Sequence, residues 1–201
     1  MSTGATTVSS DGRHARRERN RLAVVDAMLS LYQEGNLDPS SDAIAARAGL
    51  SPRSLFRYFD DLDDLVRAAI SRQYERIRPL AEIDLSTEAP LAERVGRLVR
   101  SRLRTYDEIA AAGKVARARA HSQPLLAAQL TQARVQWRRQ VEVLFAPELT
   151  AMGAARAAGT VSVADVLASF EAVQLMRDDQ GLARARIEAA LTDSLIRLLE
   201  A

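Results

Sequence analysis

Residues 40–59 read SSDAIAARAGLSPRSLFRYF, and no other stretch of the chain restricts the fold as tightly. Ile44, Ala45 and Ala48 fall on one side of a helix over residues 42–48. Gly49 stands where a helix ends in a left-handed residue, a conformation that costs glycine no Cβ clash. Leu50 supplies an apolar plug in the turn. Ser51 then offers a capping hydroxyl, and Pro52 suits the first helical position, where an N–H would have no partner. A second helix over residues 52–59 places Leu55 and Phe59 inward at i, i+4. It leaves Arg53, Ser54, Arg57 and Tyr58 facing outward. A helix, a glycine turn and a second short helix with outward Arg, Ser and Tyr form the plan of a helix-turn-helix DNA reader.

The remainder of the chain follows helical periods. Leu22, Val25, Met28, Leu29 and Tyr32 mark a helix from about Arg17 to Glu34, ended by Gly35, and Ser40 or Ser41 caps the next one. After Phe59, DDLDDL supplies a cap and an acidic first turn that suits the positive end of a helix dipole. Leu62, Leu65, Val66, Ala69, Ile70 and Ile77 carry that helix to Arg78, where Pro79 stops it. A loop over residues 79–90 precedes a stripe from Leu91 to Ile109. Gly113 interrupts that stripe ahead of a short helix near residues 114–121. Pro124 opens a long helix containing Trp137, and residues 147–160 are either a helical turn or a loop. Two last stripes run from Val163 to Met176 and from Leu182 to Leu198, joined by DDQG. No period-2 pattern and no repeat is present, so the expected fold is all-α with about nine helices.

Composition narrows the functional classes. Of 201 residues 47% are hydrophobic, enough for a core, and glycine and proline are few, which favours helix. The absence of cysteine excludes disulfides, thiolate metal sites and a cysteine nucleophile. His14 and His121 cannot by themselves build a metal site, and the acidic clusters at residues 60–64 and 178–179 fall at helix ends. With no phosphate loop and no nucleophile–base set, neither catalysis, a cofactor nor a metal is expected. No apolar run reaches transmembrane length and none opens the chain as a secretory signal, so a cytoplasmic protein with no membrane partner is expected. The net charge is only +2, but five arginines crowd residues 13–21. Arg16 and Arg17 in this arm suit phosphate neutralisation. A solubilising tail would carry the same charges.

With helix 1 in front, IAARAGLSPRSLFRYFDDLDDL resembles the DNA-binding domain of the TetR (tetracycline repressor) family. Ile44, Ala45, Ala48, Gly49, Leu50, Ser51, Leu55, Phe56, Phe59 and Leu65 occupy the family's pattern, over residues 17–66. The resemblance implies a homodimer that reads double-stranded operator DNA through its N-terminal helices. It also implies a C-terminal domain that binds a small-molecule effector and pairs its last two helices with those of a partner copy. Two departures stand out: Leu62 replaces a frequent phosphate-contacting lysine, and Phe56 replaces a frequent tyrosine.

The expected organisation is a disordered leader over residues 1–15, a helix-turn-helix domain over 16–61 and an effector-binding and dimerisation domain over 62–201. The candidate DNA-contacting residues are Arg16, Arg17, Ser41, Ser51, Pro52, Arg53, Ser54, Arg57 and Tyr58. Arg53 suits a bidentate contact with guanine. Arg102, Tyr106, His121, Trp137, Phe170 and Gln174 are candidates for the effector pocket. Phe170, Val173, Leu191, Leu195 and Leu198 are candidates for the dimer interface, because a lone helix would expose them. The expected function is a ligand-responsive transcriptional regulator, chiefly a repressor. The alternative is a sensor or protein-interaction module of the same fold with weak or lost DNA binding, which Leu62 and the acidic turn would suit.

Overall fold

The computed structural model describes residues 7–200, with side chains from residue 12 onward except that of Arg13. The described residues form ten α-helices and no strand. In chain order these are α1 (Thr7–Gln33), α2 (Ser41–Arg47), α3 (Pro52–Leu55), α4 (Leu62–Ala81) and α5 (Leu91–Arg119). Then follow α6 (Pro124–Leu144), α7 (Ala146–Met152), α8 (Ala154–Leu167), α9 (Phe170–Gln174) and α10 (Arg184–Glu200). A π-helical turn, Leu175–Asp179, continues α9.

Several boundaries differ from the sequence expectation. The expected disordered leader lies partly outside the described residues, and residues 7–15 belong to α1. The segment ahead of Arg17, TVSSDGRHAR over residues 7–16, holds few strong helix formers, so local propensity does not account for it; the helix there continues backward from the turns that the apolar stripe stabilises. Helix α5 runs unbroken through Gly113, because one glycine costs about 1 kcal/mol and the stripe resumes at once with buried Val115 and Ala116. Pro79 lies inside the last turn of α4 without stopping it. Residues 147–160 resolve into α7 and the first half of α8, divided at Gly153, whose φ is +79°. The helix expected from Val163 to Met176 is broken at Ser169, whose hydroxyl accepts from the Ala172 N–H and starts α9.

The described residues group into two compact units. The first comprises the described part of Met1–Arg76 with Ala110–Leu126. Its core joins Val24, Val25, Met28 and Leu29 of α1 to Ile44 and Ala45 of α2, Leu55, Phe59, and Leu65, Val66, Ala69 and Ile70 of α4. The second comprises Ile77–Ile109 with the described part of Ala127–Ala201. It is filled by Val95, Leu98, Leu103 and Tyr106 of α5, Trp137, Val141 and Leu144 of α6, Phe145, and inward residues of α8 to α10. The single cut expected after residue 61 differs from this division, because α4 and the end of α5 both place apolar side chains in the first unit's core.

Candidate nucleic-acid interface and effector cavity

The turn at the centre of the first unit is built as its residue types dictate. Gly49 has φ +68°, its N–H donates to the Ala46 carbonyl (3.2 Å), and the Leu50 N–H reaches the Ala45 carbonyl (2.9 Å). These two bonds close the end of α2 as a Schellman motif. Ser40 provides the cap of α2, accepting from the Ala43 N–H, and Ser41 is the half-buried first residue of that helix. Ser51 caps α3 through the Ser54 N–H at 3.3 Å, and its hydroxyl also lies 2.9 Å from that of Ser54. Regular α-helix ends at Leu55, four residues short of the expected bound. The chain then continues through i→i+3 bonds, from Arg57 N–H to Ser54 carbonyl and from Tyr58 N–H to Leu55 carbonyl. Leu55 and Phe59 are both buried in the core.

The face turned to solvent is basic. Ser51, Pro52, Arg53 and Arg57 are exposed, and Ser54 and Tyr58 are half-buried. Arg16, Arg17, Asn20, Arg57 and Tyr58 line one concave surface enclosing about 690 Å³, which among the described residues carries three arginines and no acid. The Asn20 side-chain amide donates to the Tyr58 hydroxyl at 2.9 Å and so sets the orientation of that ring. Arg21 has a different use: its guanidinium lies 5.0 Å from the centroid of the Phe59 ring.

The acidic turn is engaged within the unit. Asp61 accepts from the Asp64 N–H at 2.6 Å and caps α4, and Asp64 lies 3.5 Å from Arg67. Asp63 accepts from Arg119 (3.0 Å) and from the Gln123 amide (2.7 Å), while Arg119 also holds Asp38 at 2.7 Å.

In the second unit a cavity of about 370 Å³ is lined by Tyr106, Arg134, Trp137, Asp165, Val166, Ala168, Ser169, Phe170 and Glu171. Its walls are aromatic. Tyr106 packs edge-on against Trp137 (5.3 Å) and against Phe170 (5.5 Å), and its hydroxyl donates to the Ala168 carbonyl at 2.8 Å. Behind Trp137, Arg102 is only 2% exposed. Its guanidinium lies 5.3 Å from the indole centroid and donates to Gln140 (2.7 Å) and to the Trp137 carbonyl (3.1 Å). Burial pushes Arg102 below its ordinary pKa. Burial also pushes the Asp165 carboxyl above its ordinary value; Arg138, Arg102 and Arg134 oppose the rise and Glu142 adds to it.

Comparison with known proteins places the N-terminal helices and the overall fold. Residues 24–69 match the family model described as bacterial regulatory proteins, tetR family. The N-terminal domain belongs to the TetR family. A TetR-family transcriptional regulator from Streptomyces coelicolor is similar over 90% of this chain and 80% of its own, at 22% identity and a TM-score of 0.70. A transcriptional regulator from Rhodococcus sp. Rha1 is similar over 92% and 96%, at 17% identity and 0.67. The multidrug binding protein EbrR, solved with imidazole, is similar over 89% and 93%, at 23% identity and 0.54. No curated protein matches this chain. The chain therefore has the all-α TetR fold, and no helix among the described residues is long and apolar enough to cross a membrane.

Within this TetR fold the residues expected at each site are distributed unevenly. Tyr106, Trp137 and Phe170 meet at the cavity, whereas Arg102 lies behind its wall. Gln174 is absent from the lining, and both polar atoms of its amide are buried without a partner among the described residues. His121 is exposed in the connection between α5 and α6, within the first unit, and does not belong to the cavity. The residues expected at a dimer interface are mostly covered within the single chain. Phe170, Val173, Leu191 and Leu195 are at most 2% exposed in the single chain, and Leu198 is half-buried. Phe170, Val173, Leu191 and Leu195 close the subunit's own core, whereas Leu198 keeps part of its surface. The exposed apolar residues of this region are Val163 and Val166 of α8 and Leu175. Sequence reasoning missed Asn20 and Asp165. An acid inside the apolar run VSVADVLASF was a legible signal for Asp165, whereas nothing local marks Asn20.

Proposed function

We propose that this protein is a ligand-responsive transcriptional repressor that binds a palindromic operator as a homodimer and is released by a small-molecule effector. The observation that carries the reading is the surface of Arg16, Arg17, Asn20, Arg57 and Tyr58, free of acids among the described residues, on the domain that presents Arg53 at the capped end of α3. Arg53 and Ser54 read base edges, Pro52 touches a thymine methyl, and the arginines with Tyr58, Ser41 and Ser51 hold phosphates. A dimer sets two such heads about 34–36 Å apart, one turn of DNA. Dimerisation runs through the exposed side of α8, where Ala155, Gly159, Ser162, Val163 and Val166 recur at spacings of three and four. The protein works in the cytoplasm.

The aromatic cavity of the second unit supports an effector site, and a structural neighbour named for multidrug binding is in keeping with one. Helices α4, α5 and α6 each contribute residues to both units, so a change at the cavity reaches the DNA-binding domain through continuous helix. A coupling of about 1–3 kcal/mol is typical of such linkage. The alternative of a non-DNA-binding sensor drew on the acidic turn. With Asp61, Asp63 and Asp64 engaged by capping and arginine contacts, Leu62 and the low net charge of +2 are what still favour it. The test is a gel-shift assay with the region upstream of the protein's own gene. Retarded bands that specific competitor removes support the proposal, and no retardation on any sequence at low salt refutes it.

A further inference from the structure

The cavity's polar groups can be accounted for one at a time. Arg134 is ion-paired to Glu171 at 2.7 Å. The Tyr106 hydroxyl is committed to the Ala168 carbonyl and the Ser169 hydroxyl to the Ala172 N–H. Of the charged groups close by, Arg138 is paired with Glu142 at 3.1 Å, and both terminal nitrogens of Arg102 are spent on Gln140 and the Trp137 carbonyl. One group is left over. Asp165 lines the cavity and is partly withdrawn from water, and among the described residues no hydrogen bond or ion pair reaches its carboxylate. A carboxylate so placed is costly unless a donor reaches it.

The walls beside it say what form that donor takes. Tyr106, Trp137 and Phe170 present ring surface to an apolar or planar body, and π faces also attract organic cations. An anion finds no comparable anchor, because Arg134 is already paired and Arg102 lies outside the lining. A neutral ligand would cover Asp165 without answering it. The volume of about 370 Å³ falls near the lower end of the roughly 300–1,000 Å³ of small-molecule sites.

We infer that the cavity takes a small organic cation, its protonated nitrogen held at Asp165 and its apolar or aromatic body against Tyr106, Trp137 and Phe170. This rests on reading the cavity as the effector site. Asp165 then provides the charge selectivity, and the aromatic walls provide affinity that tolerates variation in the ligand's body.

Trp137 is the only tryptophan, so its emission reports on this cavity alone. The experiment titrates the full-length protein with 4-phenylbutylammonium, 4-phenylbutanol and 4-phenylbutanoate, which share a body and differ in charge. The ammonium compound is expected to change Trp137 emission at concentrations about tenfold or more below the other two, as suits a charge-assisted contact. Asp165→Asn is expected to abolish that preference and Asp165→Glu to keep it, with circular dichroism confirming that both variants are folded. An alcohol or carboxylate that binds as tightly as the ammonium, or a preference that survives Asp165→Asn, overturns the cation assignment while leaving the cavity a ligand site. Silence of Trp137 toward all three probes overturns the effector-site reading as well.

Discussion

Replacing Arg17 with glutamine separates phosphate anchoring from base reading. Arg17 is exposed and among the described residues makes no hydrogen bond or ion pair, so its loss costs the fold little. Three arginines line the concave surface in each chain, and a dimer presents six. If each neutralises one phosphate, log Kobs falls against log salt with a slope of about −5.4. The variant loses two contacts per dimer and its slope relaxes to about −3.6. Between about 50 and about 200 mM salt the parent dimer then weakens by about 1,800-fold and the variant by about 150-fold. Fluorescence anisotropy on a labelled operator, repeated over that salt range and on a scrambled duplex, measures both slopes. Weakening should be equal on the two sequences. A variant slope within about half a unit of the parent's refutes the assignment of Arg17 to phosphate.

Arg53→Ala should do the opposite, lowering discrimination against a substituted base pair by about 1–3 kcal/mol with little change in salt slope, as read from competition with mutated operators. Gly49→Ala should destabilise the first unit by about 1–2 kcal/mol, because φ +68° is a left-handed conformation that open space around the Cβ does not relieve; thermal melting checks this. Arg94 is buried and donates to the Ala89 and Leu144 carbonyls and to both oxygens of Glu148. Arg94→Met should therefore cost about 3 kcal/mol, or a melting temperature lower by about 6–12 °C. The Arg94 contact holds the Glu148 carboxyl below its ordinary range. Its contribution is therefore complete above the ordinary glutamate value of about 4.3 and fades as pH falls through the lowered value. The gap in melting temperature between parent and Arg94→Met should be constant near neutrality and narrow in acid.

What could be read from the sequence was what neighbours in the chain decide. The Gly49–Leu50 helix end, the Ser51–Pro52 start and the inward pair Leu55 and Phe59 follow from the preferences of adjacent residues, and all three stand in the structure. The aromatic lining at Tyr106, Trp137 and Phe170 was legible as large side chains on separate apolar stripes. Partnership between distant segments was not. A periodic stripe tells that Leu191 and Leu195 are covered and cannot tell whether their own subunit or a second one covers them. Nor does the acidic turn reveal its partners, because Arg119 and Gln123 come from the far end of α5 and the connection after it. Arg102, a pocket candidate from its place on an apolar stripe, has its hydrogen bonds answered inside the protein.

Arg119 holds Asp38 with one terminal nitrogen and Asp63 with the other, and the whole helix-turn-helix lies on the chain between those two acids. One guanidinium therefore closes the reading head into a ring, as a crosslink would, but with bonds that water can contest. Asp38 is 89% exposed and Asp63 51%, and exposed pairs contribute only about 0–1 kcal/mol each. A crosslink of that strength limits how far the head frays without fixing it. Amide protons of α2 and α3 then exchange through openings far smaller than global unfolding. The ease of those openings is set at the end of α5, remote in sequence from every residue proposed to face DNA.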